Sequence, residues 1–162
     1  MTIRLALAAA GLAIAFGGPA LAFDARNPAD VLAVLTTNGA SGEMTKDAEG
    51  PAYISAKAGK LTFDAHFSQC NESRSACGVV VYQIGFSSEL VTVDQINRWN
   101  HLATLCPAYL TTEKHPHTWM AARTSQNLSR DDVLAQQQDW LTCLDDFDRF
   151  TDDPEGFLKS RE

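Results

Sequence analysis

The sequence has 162 residues, four cysteines and a formal net charge of −7, and 45% of its residues are hydrophobic. This length is enough to bury one core, and no Gly/Ser linker or internal repeat indicates a second domain. The excess of negative charge argues against nucleic acid as a partner. We recognise no cofactor-binding motif and expect no cofactor.

The first 22 residues have the pattern of a secretory signal peptide. Arg4 precedes an apolar run over residues 5–16, and Ala20-Leu-Ala22 precedes Phe23. A membrane-spanning helix needs about 20 apolar residues, so this run is too short to be an anchor. We predict cleavage after Ala22, a single mature domain over residues 23–162, a periplasmic or secreted location, and no membrane insertion after cleavage. Cleavage removes Arg4 and no acid, so the net charge of −7 becomes −8.

The exported part begins with signals for a helix and two short strands. Asn27 and Pro28 fit the cap and the first turn of a helix, and Asn38-Gly39 fits its end. Strands are predicted at about 43–47 and 52–56, around a turn formed by residues 47–51.

Two alternating apolar runs within residues 61–86 flank the segment from Cys70 to Cys77 and predict a β-hairpin. If the two cysteines lie opposite each other, one face of the hairpin is wholly apolar and the other is mixed. The paired residues are then Phe67 with Val80, Ala65 with Tyr82, Phe63 with Ile84, Leu61 with Phe86, Ser68 with Val79, His66 with Val81, and Asp64 with Gln83. We therefore predict a Cys70–Cys77 disulfide, which restricts the unfolded chain by about 2.5 kcal/mol.

A capping box of Thr92 and Gln95 opens a second helix. Ile96, Trp99 and Ala103 share one face of it, and Asn97, Arg98 and His101 can point to solvent. We expect this helix to reach Cys106 and to end at Pro107.

The rest of the chain predicts a second hairpin and an acidic C-terminal helix. Strands are expected at about 108–113 and 117–124, and a helix from Ser129 to Asp153 with Val133, Trp140, Leu144 and Phe147 on its apolar side. Five aspartates between residues 145 and 153 indicate a solvated acidic face. The predicted fold is α+β, with an antiparallel sheet of about five to six strands flanked by three helices.

Cys106 and Cys143 are both expected to face the core. A bond between them would close a loop of about 38 residues and contribute about 3.9 kcal/mol. Two buried free thiols are the alternative. An even number of cysteines in an exported chain favours two disulfides, and hence an oxidising compartment.

Two pairs of polar residues could carry chemistry. Asp64 and His66 lie on one strand face and could act as an acid–base pair, but no nucleophile or oxyanion site accompanies them in the sequence. His115 and His117 could share a metal ion, but no third ligand lies at a recognisable spacing. We therefore expect no catalytic site and no metal site.

A family resemblance rests on four stretches of the sequence. These are residues 23–32 with the following Gly turn, the Phe-rich hairpin that ends in Cys, Gly85-Phe86, and Ile96-Asn-Arg-Trp-Asn100 before Ala108-Tyr-Leu110. Together they resemble exported members of the bacterial YbjN domain family. The resemblance implies a fold like that of type III secretion chaperones, which bind other proteins without catalysis, and a regulatory role in sensing, motility or stress. It also implies that Trp99, Asn97, Asn100 and Tyr109 contribute to partner binding.

Two hypotheses follow for function. The first is a non-catalytic, chaperone-like module that binds another protein through a sheet face and a groove beside Trp99. The second is a small secreted enzyme or metal-dependent protein that uses Asp64 and His66, or His115 and His117. Trp99 itself can fill the core or line the groove.

Overall fold

A computed structural model describes residues 22–46 and 52–161 of the chain. Almost all of the predicted signal peptide and the predicted turn at 47–51 lie outside the described residues. Within them the fold is α+β, as predicted, with six strands and four helices. In chain order these are α1 (Pro28–Thr37), β1 (Ser41–Lys46), β2 (Ala52–Ala58), β3 (Leu61–Cys70), β4 (Cys77–Gly85), α2 (Val93–Leu102), β5 (Ala108–Leu110), β6 (Pro116–Arg123), α3 (Arg130–Asp152) and α4 (Pro154–Lys159).

The six strands form one antiparallel sheet with the order β1-β2-β3-β4-β6-β5. The predicted hairpin is β3–β4 and lies at the centre. Its predicted register is confirmed from the Asp64–Gln83 pair to the Cys70–Cys77 pair. Because side chains alternate between faces, this register directs Phe63, Ala65 and Tyr82 to the core.

One face of the sheet and all four helices enclose the core. The helices contribute Leu35, Trp99, Phe147 and Leu158 to the same cluster that contains the inward residues of the strands. Trp140 of α3 packs against the sheet centre, where it contacts the rings of Phe63 and Tyr82 at centroid distances of 5.6 and 5.8 Å. The opposite sheet face, called the outer face below, consists of the strand residues that alternate with the core positions.

A buried glutamine joins α3 to the sheet and to α1. The Gln137 amide nitrogen donates to the Val31 carbonyl at 3.0 Å and to the Tyr82 hydroxyl at 3.4 Å. Burial raises the pKa of Tyr82 to about 12, because the phenolate would lose its hydration. The hydroxyl is therefore a neutral group at every physiological pH.

The helix starts agree with the sequence. Asn27 caps α1, and capping boxes at Thr92 and Ser129 open α2 and α3. The predicted end of α2 was wrong: the helix stops at Leu102, so Cys106 lies in the connection to β5. The C-terminal tail also forms α4, because Asp153 ends α3 and its carboxylate accepts a hydrogen bond from the Gly156 backbone at 3.0 Å.

Both expected disulfides are formed, Cys70–Cys77 across the hairpin and Cys106–Cys143 between the α2–β5 connection and α3. No cysteine of the chain remains free. Two disulfides are compatible with an oxidising compartment. Among the described helices, none combines the length and the apolar character that crossing a membrane requires.

Candidate functional site

Trp99 lies in the core, with 1% of its surface exposed. Its indole ring contacts Phe147, Phe150 and Phe157 at centroid distances of 4.9, 5.1 and 5.6 Å. The indole N–H donates to the Cys106 carbonyl at 2.9 Å. Trp99 therefore presents almost no surface to a partner, and of its two predicted roles the structure favours filling the core.

Asn100 holds the backbone of β5. Its side-chain nitrogen donates to the Ala108 carbonyl at 3.0 Å, and its side-chain oxygen accepts from the Ala108 N–H at 2.6 Å. Both halves of the amide are thus engaged within the fold. Trp99 and Asn100 together fix the connection that leads from α2 to the edge strand.

Asn97 lies one turn away, on the exposed side of α2. With Arg98, His101, Leu102 and Leu158 it lines an apolar cavity of about 320 Å³. Arg98 forms a 3.8 Å ion pair with Glu155 of α4, so the two helices are joined beside this cavity. Of the four predicted partner-binding residues, Asn97 lines this cavity, and Trp99 lines the two cavities described next.

Two more cavities adjoin the same helix. One of about 250 Å³ has the Cys106–Cys143 disulfide in its lining, and one of about 290 Å³ is bounded by Phe157 and Arg161 of the C-terminal segment. Leu102 lines all three cavities. We call this continuous surface around Leu102 the α2 groove.

The rim of the α2 groove combines exposed leucines with paired charges. Leu102 is 43% exposed, and Leu105, which lines the cavity at the disulfide, is 63% exposed. Asp146 lies between the cavities and pairs with Arg149 and with Arg161, the latter at 2.9 Å. The groove therefore combines exposed apolar side chains with a polar border, on which Asp146 is paired with arginines.

Tyr109 lies away from the α2 groove, on the outer face of the sheet, where it is 46% exposed. Its ring contacts the His117 ring at 5.4 Å between centroids, across the β5–β6 pair. A Cβ added at Gly85 would collide with the His117 ring, so this ring lies directly over the β4 backbone. Partial burial lowers the pKa of His117, and the positive charge of His115 lowers it further.

The residues of the alternative hypothesis also lie on or near the outer face. His66 stacks on Tyr53 at 5.0 Å between ring centroids, and Asp64 is two residues away on the same strand. His115 precedes β6, and its backbone N–H donates to the Thr111 hydroxyl at 3.1 Å. Within residues 22–46 and 52–161 no group of three or more His, Cys, Asp or Glu side chains is placed to share a metal ion.

Much of the acidic C-terminal face is engaged by cations and caps. Asp148 pairs with Lys60 at 2.9 Å, and this contact raises the pKa of Lys60. Asp146 pairs with arginines and Asp153 caps α4, as described above. These contacts stabilise the packing of α3 and α4.

Sequence reasoning missed Leu102, Leu105 and Trp119. Trp119 could have been found, because alternation in the strand 116–123 puts it opposite to Thr118 and Met120, which are buried. The two leucines gave no such signal, since α2 was expected to continue through both positions. Their exposure results from the early end of the helix.

Searches of protein-family models, of curated proteins and of solved structures give no match. The likeness to the YbjN domain family thus rests on the sequence stretches quoted above and stays a prediction. Partner binding by Trp99, Asn97, Asn100 and Tyr109 stays a prediction as well.

Proposed function

We propose that this chain is a non-catalytic, chaperone-like protein of the periplasm or of the secreted fraction, related to the exported YbjN domain proteins, that binds another protein in the α2 groove. The signal pattern and the two disulfides support the location. The regulatory role in sensing, motility or stress belongs to this proposal through the family resemblance.

The observation that carries the proposal is the position of Leu102 and Leu105. Large apolar side chains that stay exposed beside apolar cavities are typical of interaction sites rather than of a solvated surface. Leu102 is shared by the three cavities of the groove, and Leu105 stands at the rim of one of them. The fold keeps both residues exposed because the Cys106–Cys143 bond holds the α2–β5 connection against α3.

The occupant of the groove is an amphipathic segment of a partner protein. Its apolar side chains would fill the cavities next to Leu102, as in the binding of a helix in a groove. The border offers donors from Asn97 and His101 and acceptors from Asp139 and Asp146, which suits the polar flanks of such a segment. Trp99 and Asn100 act mainly by holding the groove in place, and Trp99, with 1% of its surface exposed, also lines two of the cavities.

The test uses Leu105→Asp and Leu102→Asp in the full exported protein, with Leu90→Asp as the matched control. Leu90 is 64% exposed, close to the 63% of Leu105, but it precedes α2 and lines none of the three cavities. The assay is suppression of the aggregation of a reporter protein unfolded by heat without reductant, together with crosslinking to partners in a periplasmic extract. We expect the two groove variants to lose both activities at unchanged stability and the control to keep them.

Equal activity of all three variants would contradict binding in the groove. Loss of activity in Leu90→Asp as well would indicate a nonspecific hydrophobic effect and would also contradict it. The enzyme hypothesis has a separate test, since His66→Ala or His117→Ala would have to abolish an activity that the leucine variants retain.

A further inference from the structure

The outer face of the sheet is a second surface, separate from the α2 groove. The helices contribute their buried residues to the core on the other side, and the outward residues of the strands are exposed or half-buried. Trp119 is 37% exposed at the centre of the β6 strand. A tryptophan left open on a sheet face is a candidate for ligand stacking.

The register places Trp119 in one row with two hydrogen-bonding side chains. Trp119 lies opposite Gln83 of β4, and Gln83 lies opposite Asp64 of β3. Neighbouring strands are about 4.8 Å apart, so this row offers one group per strand across about 10 Å. Aromatic, amide and carboxylate side chains thus follow each other in a line.

Several side chains next to Trp119 on the outer face are short. Its neighbours on the same face include the short side chains of Ala121 on β6 and, diagonally on β4, Val81, whereas the His117 ring covers Gly85. Taller rings stand on both sides, with His117 next to Tyr109 on one side and His66 on Tyr53 on the other. The outer face around Trp119 is therefore shallow and is bordered by aromatic rings on both sides.

The charges of the outer face balance. Glu43 and Asp64 are matched by Lys57 and Arg123, all on outward positions of the strands. A polyanion such as a nucleic acid gains nothing from such a surface, and the whole chain is negatively charged. The outer face therefore suits a neutral ligand.

We infer that the outer face binds a neutral glycan, with one sugar ring stacked on Trp119 and its hydroxyl groups bonded by Gln83 and Asp64. A pyranose ring has a face of C–H bonds that packs on an indole, and a rim of hydroxyls that pair with amides and carboxylates. The row supplies these groups in order: the indole of Trp119, the amide of Gln83 and the carboxylate of Asp64. Each sugar residue spans about one strand spacing, so a short oligosaccharide can follow the row.

A peptide fits this face less well. An extended peptide gains its affinity from backbone hydrogen bonds at a sheet edge. β3 and β4 are paired on both sides, and β6 is paired with β5 over residues 116–118 only. The centre of a protein–protein interface is depleted of charge, but here the carboxylate of Asp64 lies within the row, next to the uncharged amide of Gln83. Recognition on this face therefore relies on the side chains of Trp119, Gln83 and Asp64, whereas a peptide strand would add at the edge of β6 beyond residue 118.

The experiment uses the mature protein and soluble cello-, chito- and malto-oligosaccharides as probes. Trp119 is a built-in reporter, because the other two tryptophans, Trp99 and Trp140, are 1% and 0% exposed. We expect at least one glycan to shield Trp119 from a soluble fluorescence quencher in a saturable way. By calorimetry, Trp119→Ala and Gln83→Leu should each weaken this binding by about tenfold or more.

The two variants separate a glycan site from a protein-docking patch. Gln83→Leu enlarges the apolar surface, so it would preserve or strengthen docking of a hydrophobic protein and weaken binding of a glycan. Leu105→Asp in the α2 groove is the control and should leave glycan binding unchanged, which also keeps this result independent of the proposed function. The inference is overturned if no glycan binds, if Trp119→Ala binds as tightly as the wild type, or if an unfolded reporter protein shields Trp119 and the glycans do not.

Discussion

Replacement of Trp99 distinguishes a structural residue from a binding residue. Trp99→Ala removes the ring contacts with Phe147, Phe150 and Phe157 and the hydrogen bond to the Cys106 carbonyl. Large-to-small replacement of a fully buried aromatic residue lowers the free energy of unfolding by about 3–5 kcal/mol. This is a large part of the stability of about 5–15 kcal/mol that a domain of this size has.

A second variant separates the contribution of the ring contacts of Trp99 to the free energy of unfolding from that of its hydrogen bond. Trp99→Phe keeps an aromatic ring among the phenylalanines but loses the indole N–H, and the Cys106 carbonyl still accepts from the Thr118 hydroxyl at 3.2 Å. We expect a loss of about 1–2 kcal/mol for this variant. Urea unfolding followed by far-ultraviolet circular dichroism measures both variants without depending on tryptophan fluorescence.

The control is Leu90→Ala, at a position that is 64% exposed, and it should change the stability by less than about 0.5 kcal/mol. A Trp99→Ala variant within about 1 kcal/mol of the wild type would refute the assignment of Trp99 to the core. In that case a direct role of the indole in partner binding would regain support.

Two further predictions concern the disulfide and the pH dependence. The double variant Cys106→Ser with Cys143→Ser should lose about 3–4 kcal/mol in urea unfolding, from the chain entropy of a loop closed over a sequence separation of 37; a loss below about 1 kcal/mol would contradict this. The pKa of His117 lies below its ordinary 6.5 in the folded protein, so the folded state prefers the neutral ring. The stability that this preference contributes is fully present above pH 6.5 and declines as the pH falls below 6.5. His117→Phe should therefore lose less stability than the wild type between neutral pH and about pH 5, and equal losses would contradict the lowered pKa.

The central hairpin could be predicted because two independent patterns agree. Apolar alternation and the positions of Cys70 and Cys77 select the same register, and a slip of one residue would expose every apolar side chain. The helix starts were equally readable, since capping is a local hydrogen-bonding pattern of neighbouring residues.

The end of α2 and the existence of α4 could not be read in this way. Leu102 is the last residue of α2 because the chain turns there to bring Cys106 to Cys143 and Ala108 to Asn100. The first of these contacts joins residues far apart in the sequence, and the second depends on the turn itself. α4 is only six residues long, too short to show a hydrophobic period. The α2 groove depends on both features, so its lining by Leu102 and Leu158 could not be predicted, although a groove beside Trp99 was expected and Asn97 at its border was named.

The Asn residues of the Ile96–Asn100 stretch illustrate how a sequence motif can serve the fold. Asn97 and Asn100 are the same residue type on one helix, but only Asn100 reaches the Ala108 backbone, through two hydrogen bonds. Asn100→Ala should lower the stability by about 1–2 kcal/mol, and Asn97→Ala, at the border of the α2 groove, should change it by less than about 0.5 kcal/mol.

The local measurement is hydrogen exchange of the Ala108 amide, whose acceptor is the Asn100 side chain. Its exchange should accelerate in Asn100→Ala and stay unchanged in Asn97→Ala, because only the first variant frees this N–H while the sheet remains folded. Partner binding should show the opposite order, with Asn97→Ala the more affected, if the motif contributes to the groove through Asn97. Equal exchange in both variants would show that β5 is held by its pairing with β6 alone, and the motif would then need a functional explanation instead of a structural one.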